Sequence, residues 1–427
     1  MFNRMKKISL TNWILIGLIL GILNGIFLNV YGENFFVKTF LMENIFKLVG
    51  DLFIKLMKML VVPLVFFSIV VSLSSITDMN KLKTIGLRTI LLFILCGIIS
   101  MVVALIIGFT IKPGVGVNLP VAMQTSPMAS NQTMTSLLLN MIPENSINAL
   151  SNGDVLPVII FGIIVSVVLL KLGDETSHVQ KLFNDLNEIT IEATKILMKI
   201  SPIGIFCLMT NIFGTLGFKS FIPLTKLIIC IILGLFIINF VLYPLMIIIF
   251  TRLNPLIFHK KFLPVTLFAF STNSSNATIP LSLEIMEEMG VDPDIASFTV
   301  PLGAIFNKNG HTIAFTLIAL FAAQVSGMDL GSSVILMLIV SVLITANTAP
   351  SVPLGGIFSL EIIFSSVGLP LPILELITGV YNIIEMMDTA INVTGDAICT
   401  IIVAFKDKSL DLNVFNGKKE PENQDIN

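Results

Sequence analysis

The sequence predicts an all-α membrane protein of eight transmembrane helices with two re-entrant helical hairpins. Three observations carry this. The 427 residues are 55% hydrophobic and only 12% charged, where a soluble domain is about a quarter charged. Apolar runs of roughly 20 residues, enough to cross a hydrocarbon core of about 30 Å, recur along the chain; strands of a membrane barrel would alternate instead over about 10 residues. Two later apolar segments are interrupted near their middles by residues that end helices.

Six ordinary spans come first, at about Thr11 to Tyr31, Ile45 to Ile76, Thr84 to Ile111, Val155 to Leu172, Leu182 to Phe213 and Leu224 to Phe250. The opening MFNRMKK has the charge of a signal-peptide n-region, but the apolar run after it is long and lacks a small-residue cleavage site, so it reads as a retained first helix. Polar punctuators separate the spans, including Lys112-Pro113-Gly114 and the Pro/Ser/Asn-rich stretch from Pro120 to Ser151, read as a surface loop. Lysine and arginine crowd the first seven residues, and lysines return at 406, 408, 418 and 419. Both termini therefore carry the signal for the cytoplasmic side of a multi-pass plasma (inner) membrane protein. The polar tail after Lys406 is expected to be disordered.

Beyond Lys261 the pattern changes. Phe262 to Met289 is broken by STNSSN at Ser271 to Asn276 and by Pro280, and Val334 to Gly368 is broken at Thr345 to Gly356. Each half is too short to cross a bilayer, and irregular backbone at membrane depth survives only where protein or a watery cavity satisfies its amides and carbonyls. Two hairpins with tips meeting near the midplane follow, and paired interrupted segments point to a solute site. Pairs of short helices in a surface loop are the alternative. Ile295 to Ala323, split by NKNGH, and Pro370 to Phe405 complete the spans.

In the last span Tyr381, Glu385, Asp388, Asn392 and Asp396 recur at helical intervals and share one face. Each membrane-embedded carboxylate costs about 2.5 to 3.5 kcal/mol on insertion scales, so the stripe must face a cavity, a cation or a compensating charge. Lys308 and His311 lie three apart on the split span and supply that compensation. The hard oxygens of Asn307, Asn392, Asp396 and the Gly303 carbonyl form a candidate sodium site; Asn392 with Asp396 could equally be a structural hydrogen-bonded pair. His311 reads either as a proton relay or as a satisfied core residue. The four cysteines show no metal or redox spacing. The net charge of -2 argues against a nucleic-acid partner. Neither HExxH nor a nucleophile elbow is present, which argues against an enzyme. No cofactor is expected beyond a coupling ion, Na+ or H+ or both.

The chain resembles the dicarboxylate/amino acid:cation symporter family, which includes the glutamate transporters. The likeness rests on KMLVVPLVFFSIV at Lys58 to Val70, TIP at Thr278 to Pro280, SFTVPLGAIFNKNGH at Ser297 to His311, SVPLGG at Ser351 to Gly356, VGLPL at Val367 to Leu371 and NVTGD at Asn392 to Asp396. The resemblance implies an elevator fold in a homotrimer. Residues 1–80 and 116–218 would form a static scaffold, residues 81–115 and 219–405 a mobile domain, and 406–427 a cytoplasmic tail, with the second hairpin as gate. It also implies a solute chamber lined by Ser274, Ser275, Asn276, Ser351, Val352, His311, Glu385, Asp388, Thr389 and Asn392. Glu385 matches the acid that holds the solute's amino group.

The departures from the family pattern bear on solute and ion. Where the family reads NMDGT this chain reads NKNGH, and its Tyr, Thr and Ser sodium ligands fall on Phe93, Cys96 and Gly97. An acid usual one turn earlier in the last span is Tyr381 here. One sodium site therefore reads as dismantled, with Lys308 as a tethered cation in its place. Asp388 stands where acidic-substrate members carry an arginine, and the three arginines, Arg4, Arg88 and Arg252, all precede the first hairpin. A symported small amino acid, polar neutral or cationic rather than acidic, is expected. A dicarboxylate symporter with an altered site, a passive channel and a homologue that no longer transports are the alternatives.

Overall fold

The computed structural model describes residues 10–31, 36–74, 85–117, 142–152, 155–216, 221–328, 330–349 and 355–418. Helices dominate them. The first group comprises α1 (Leu10–Tyr31), a π-helical stretch (Phe36–Lys47) that runs into α2 (Leu48–Met59), α3 (Val61–Ser74), α4 (Leu87–Ile111), a short α5 (Ser146–Asn152), α6 (Val155–Leu172), α7 (Ser177–Met198) and α8 (Ser201–Leu216). The second comprises α9 (Phe221–Ile237), a π turn (Ile238–Leu242), α10 (Tyr243–Thr251), α11 (Pro255–Thr272), α12 (Ser275–Glu288), α13 (Pro293–Phe306), α14 (Asn309–Val325), α15 (Ser332–Thr348), α16 (Gly355–Val367), α17 (Leu371–Asp407) and α18 (Leu412–Phe415).

Three continuous helical stretches among the described residues are long and apolar enough to cross a membrane: Leu87–Ile111, Leu224–Thr251 and Val380–Asp407. The other expected crossings lie in shorter helices, and local chemistry explains the breaks. The second expected span is interrupted at Leu60, between α2 and α3, because Pro63 removes an N–H and its ring crowds the carbonyl of Met59. The fifth is two helices bent by 54°: α8 opens on Ser201-Pro202, where proline suits a helix start and not an interior. α7 before the bend carries Lys181, Asp185, Glu188, Glu192 and Lys195, so it is amphipathic, although the bent pair taken together is still apolar enough for one broken span.

Packing divides the helices. α1 lies along α8, α2 also packs on α8, and α3 packs on α6 and α7. Small residues set the α1–α8 approach, since a Cβ at Gly21 would come 2.6 Å from the Phe206 carbonyl oxygen. α4 and α9 instead pack on α14. α17 touches α11, α13, α14, α16 and α12, and meets the first group through α8 and α4. Its span is 94% buried, against 39% for Leu87–Ile111 and 44% for Leu224–Thr251. Every residue of α14 from Asn309 to Ala323 is buried as well. The acidic stripe thus runs through protein, not along lipid.

Both interrupted segments form packed helix pairs, α11 with α12 and α15 with α16. The first begins at Pro255, seven residues before the expected start, capped by the Asn254 side chain. Its break is confined to Asn273, in the left-handed region at φ 50°, and Ser274, which caps α12. Pro280 does not break the chain, because it sits in the second turn of α12, near the helix start. The expectation of a disordered tail is corrected for residues 408–418. Leu410 bridges to Val291, the Asp411 N–H donates to the Gly290 carbonyl at 2.8 Å, and Phe415 is fully buried.

Candidate functional site

The periodicity of α17 places Tyr381, Glu385, Asp388, Asn392 and Asp396 on one buried face, each 3% exposed or less. Three breaks in neighbouring helices approach that face. At the first hairpin, Asn273 closes α11, and its Nδ2 donates to Glu385 Oε2 at 2.8 Å. At the second, the Gly356 N–H, in the first turn of α16, donates to Glu385 Oε1 at 2.9 Å. Thr389 Oγ1 donates to Asn273 Oδ1 at 3.0 Å. One carboxylate therefore joins α17 to both interrupted segments.

The third break is Asn307-Lys308, between α13 and α14. Asn307 Nδ2 donates to Asp396 Oδ1 at 2.9 Å. Gly303 lies against the same carboxylate, where a Cβ would stand 2.8 Å from Oδ1. Gly303, Asn307 and Asp396 are thus brought together. Asn392 faces elsewhere: its Oδ1 accepts from the Gly310 N–H at 2.8 Å and its Nδ2 meets His311 Nδ1 at 2.7 Å. An amide N–H donates there, so Nδ1 is the acceptor. The His311 ring also stands edge-on to Phe315 at 5.3 Å. Among the described residues no group of three His, Cys, Asp or Glu gathers to hold a metal. A cation at Asp396 would rest on that carboxylate plus amide and carbonyl oxygens.

Lys308 is 2% exposed; its Nζ donates to Ser275 Oγ at 3.3 Å, and Asp396 and Glu385 supply the opposite charge around it. Asp388 differs from its neighbours. It is fully buried, and neither carboxylate oxygen has a hydrogen-bond partner among the described residues. The Tyr381 hydroxyl lacks one too. Ser274 is half-buried and Asn276 exposed, whereas Ser351 and Val352 lie outside the described residues.

Sequence reasoning missed Asn273 and Tyr243, and read Asn309 only as a helix breaker and a lost sodium ligand. Asn309 Nδ2 donates to Asn307 Oδ1 at 2.8 Å and to the Tyr243 hydroxyl at 2.9 Å, and that hydroxyl donates to the Ile391 carbonyl at 3.1 Å. An ionised carboxylate at 309 could not donate at all. The signal available for Asn273 was its place inside STNSSN, since asparagine tolerates the left-handed conformation a sharp break needs.

The sodium:dicarboxylate symporter family profile matches residues 10–405. The chain belongs to this family. It is 33% identical over 410 residues to the proton/sodium-glutamate symport protein of Geobacillus stearothermophilus, covering 94% of this chain and 95% of that one. The proton/glutamate-aspartate symporter of Escherichia coli K12 is 30% identical over 411 residues, 93% of each chain. The C4-dicarboxylate transport protein of Agrobacterium fabrum is 28% identical over 428 residues, covering 95% and 91%. These relatives are named as transporters, not enzymes.

The positions where this symporter-family chain departs from its pattern are filled by other chemistry. Phe93 and Cys96 are each 3% exposed, and Cys96 Sγ lies 3.6 Å from Met246 Sδ and 3.8 Å from Cys399 Sγ. Soft sulfur and an aromatic ring there suit a packed core and not a hard cation.

Proposed function

We propose that this protein is a secondary active symporter that uses sodium, protons or both to drive uptake of a small amino acid, polar neutral or cationic rather than acidic. The carrying observation is Asp388: a fully buried carboxylate without a partner among the described residues. A buried acceptor left unmade is costly, so Asp388 calls for a donor that the described residues do not supply. A solute hydroxyl or ammonium supplies one. Glu385 would take the α-amino group, and no arginine follows Arg252 to clamp a second carboxylate. The absence of covalent chemistry belongs to this reading.

Gly303, Asn307 and Asp396 are proposed to hold one sodium ion, with Asn392, whose side chain is taken by Gly310 and His311, bracing the split span beside it and Lys308 serving as a tethered cation in place of another. Ser274, Ser275, Asn276, Ser351, Val352, His311 and Thr389 are proposed to complete the chamber. α1–α3 and α6–α8 would be the static scaffold of a homotrimer in the inner membrane with both termini cytoplasmic. α4 and α9–α17 would carry the solute as an elevator, and the packing that joins α17 to both hairpins supports that division.

A second reading, an acidic solute, is favoured by the relatives' names, which specify glutamate, aspartate or C4-dicarboxylates. In it Lys308 is the anion's partner. Competition in proteoliposomes decides between them. Serine and lysine should displace a labelled solute and aspartate should not; strong displacement by aspartate but by neither serine nor lysine overturns the preference.

A further inference from the structure

The cysteines carry no metal spacing along the chain, but the fold brings two of them together with a methionine. Cys96 of α4, Met246 of α10 and Cys399 of α17 come from three helices far apart in sequence. Cys96 Sγ lies 3.6 Å from Met246 Sδ and 3.8 Å from Cys399 Sγ, and all three residues are buried. Three sulfurs in a plane, each about 2.3 Å from one metal ion, stand about 4.0 Å apart. The trio therefore already has close to the spacing of a ligand set. Met246 is aimed there by an irregularity: α10 follows directly on the π turn Ile238–Leu242, a form found mostly at functional sites. Tyr243, one turn before Met246, faces α17 too, since its hydroxyl donates to the Ile391 carbonyl. Beside Cys96 the packing opens. A Cβ at Gly97 would meet only Leu343 Cδ2 of α15, at 3.8 Å, among the described residues outside the backbone of α4, which leaves an ion a way in.

We propose that Cys96, Met246 and Cys399 form a binding site for a soft monovalent cation of the Cu(I) class. Thiolate and thioether sulfurs select soft metals. Zinc wants four ligands in a tetrahedron and iron–sulfur clusters want four thiolates, whereas two thiols and a thioether in an apolar pocket, with Phe93 one turn before Cys96, suit Cu(I). Binding breaks one S–H bond, forms the metal–sulfur bonds and releases the proton to water; no electron is transferred. One thiolate balances the single charge of the ion, so a neutral unit occupies a dry core where a net charge would be costly. The bound ion clamps α4 and α10 to α17, one turn beyond Asp396. The site stands apart from the reading of the solute, and its test needs no transport.

The test is titration of the reduced, full-length protein in detergent with Cu(I), in anaerobic buffer and against a coloured Cu(I) chelator. Wild type should hold one ion per chain, and copper X-ray absorption should show three sulfur neighbours at about 2.3 Å. C96S and C399S should each weaken binding by about a hundredfold or more, and the volume-conserving M246L by about tenfold. Replacing Cys207 and Cys230, equally buried but in α8 and α9, should change nothing. Cu(I) should also raise the melting temperature of wild type and not that of C96S. Copper left wholly on the chelator overturns the site. So does wild-type affinity in the double variant C96S/C399S, or loss of the ion in C207A/C230A. If the serine variants do not fold, the wild-type spectrum decides by itself, and nitrogen or oxygen neighbours in place of sulfur count against the proposal.

Discussion

At the scale of single residues, charge placement decides what the chamber accepts. Asp388 is the one stripe carboxylate with both oxygens unpartnered among the described residues; Glu385 and Asp396 already receive donors. Replacing it in D388N should weaken competition by lysine at least tenfold, the loss of a charged hydrogen-bond acceptor, while serine competes within a few-fold of wild type. Undiminished lysine competition would show that Asp388 does not meet the solute. Lys308 makes the complementary prediction. In K308M the carboxylates Glu385 and Asp396 lose the ammonium whose charge reaches them, and uptake should then rise more steeply with sodium as a bound ion takes its place. An unchanged sodium dependence contradicts the tethered-cation role. The stripe itself was legible because helical spacing is a local property. Its partners were not: Asn273 and Glu385 are 112 residues apart, and nothing in either neighbourhood announces the other.

At the scale of elements, the breaks matter more than the helices. STNSSN and NKNGH mark the two irregular points whose side chains reach α17, and both were readable because asparagine and serine side chains compete with helical backbone bonding and glycine weakens a helix through its backbone freedom. The bend between α7 and α8 was not, since one apolar pattern runs across it and only Pro202 hints at a new start. The C-terminal segment was misread for a related reason. Its composition is that of a polar tail, yet Leu410, Val414 and Phe415 are buried, and Lys261 Nζ donates to the Val414 carbonyl at 3.0 Å. Truncating the fully buried ring in F415A should cost about 3 to 5 kcal/mol of stability, seen as a lower melting temperature in detergent. An unchanged melt would mean the segment does not hold the base of the first hairpin.

At the scale of the whole molecule, two packing groups meet where α8 touches α17. The α1–α8 pair is fastened by close backbone approach and by Asn24 Nδ2 donating to Thr210 Oγ1 at 3.4 Å; the elevator reading makes it immobile. In a cysteine-free background, a cross-link between positions 24 and 210 should leave uptake intact, whereas one joining α8 to α17 should abolish it. Equal inhibition by both would argue against relative motion of the two groups. All of this depends on α17 equipping a chamber between the hairpins for a cationic group of the solute. The most direct measurement is accumulation of labelled serine, lysine and aspartate in proteoliposomes, with sodium and proton gradients imposed one at a time, for wild type and E385Q. Wild type should concentrate serine or lysine under at least one gradient and E385Q should not; aspartate alone being concentrated, or accumulation surviving in E385Q, would contradict it.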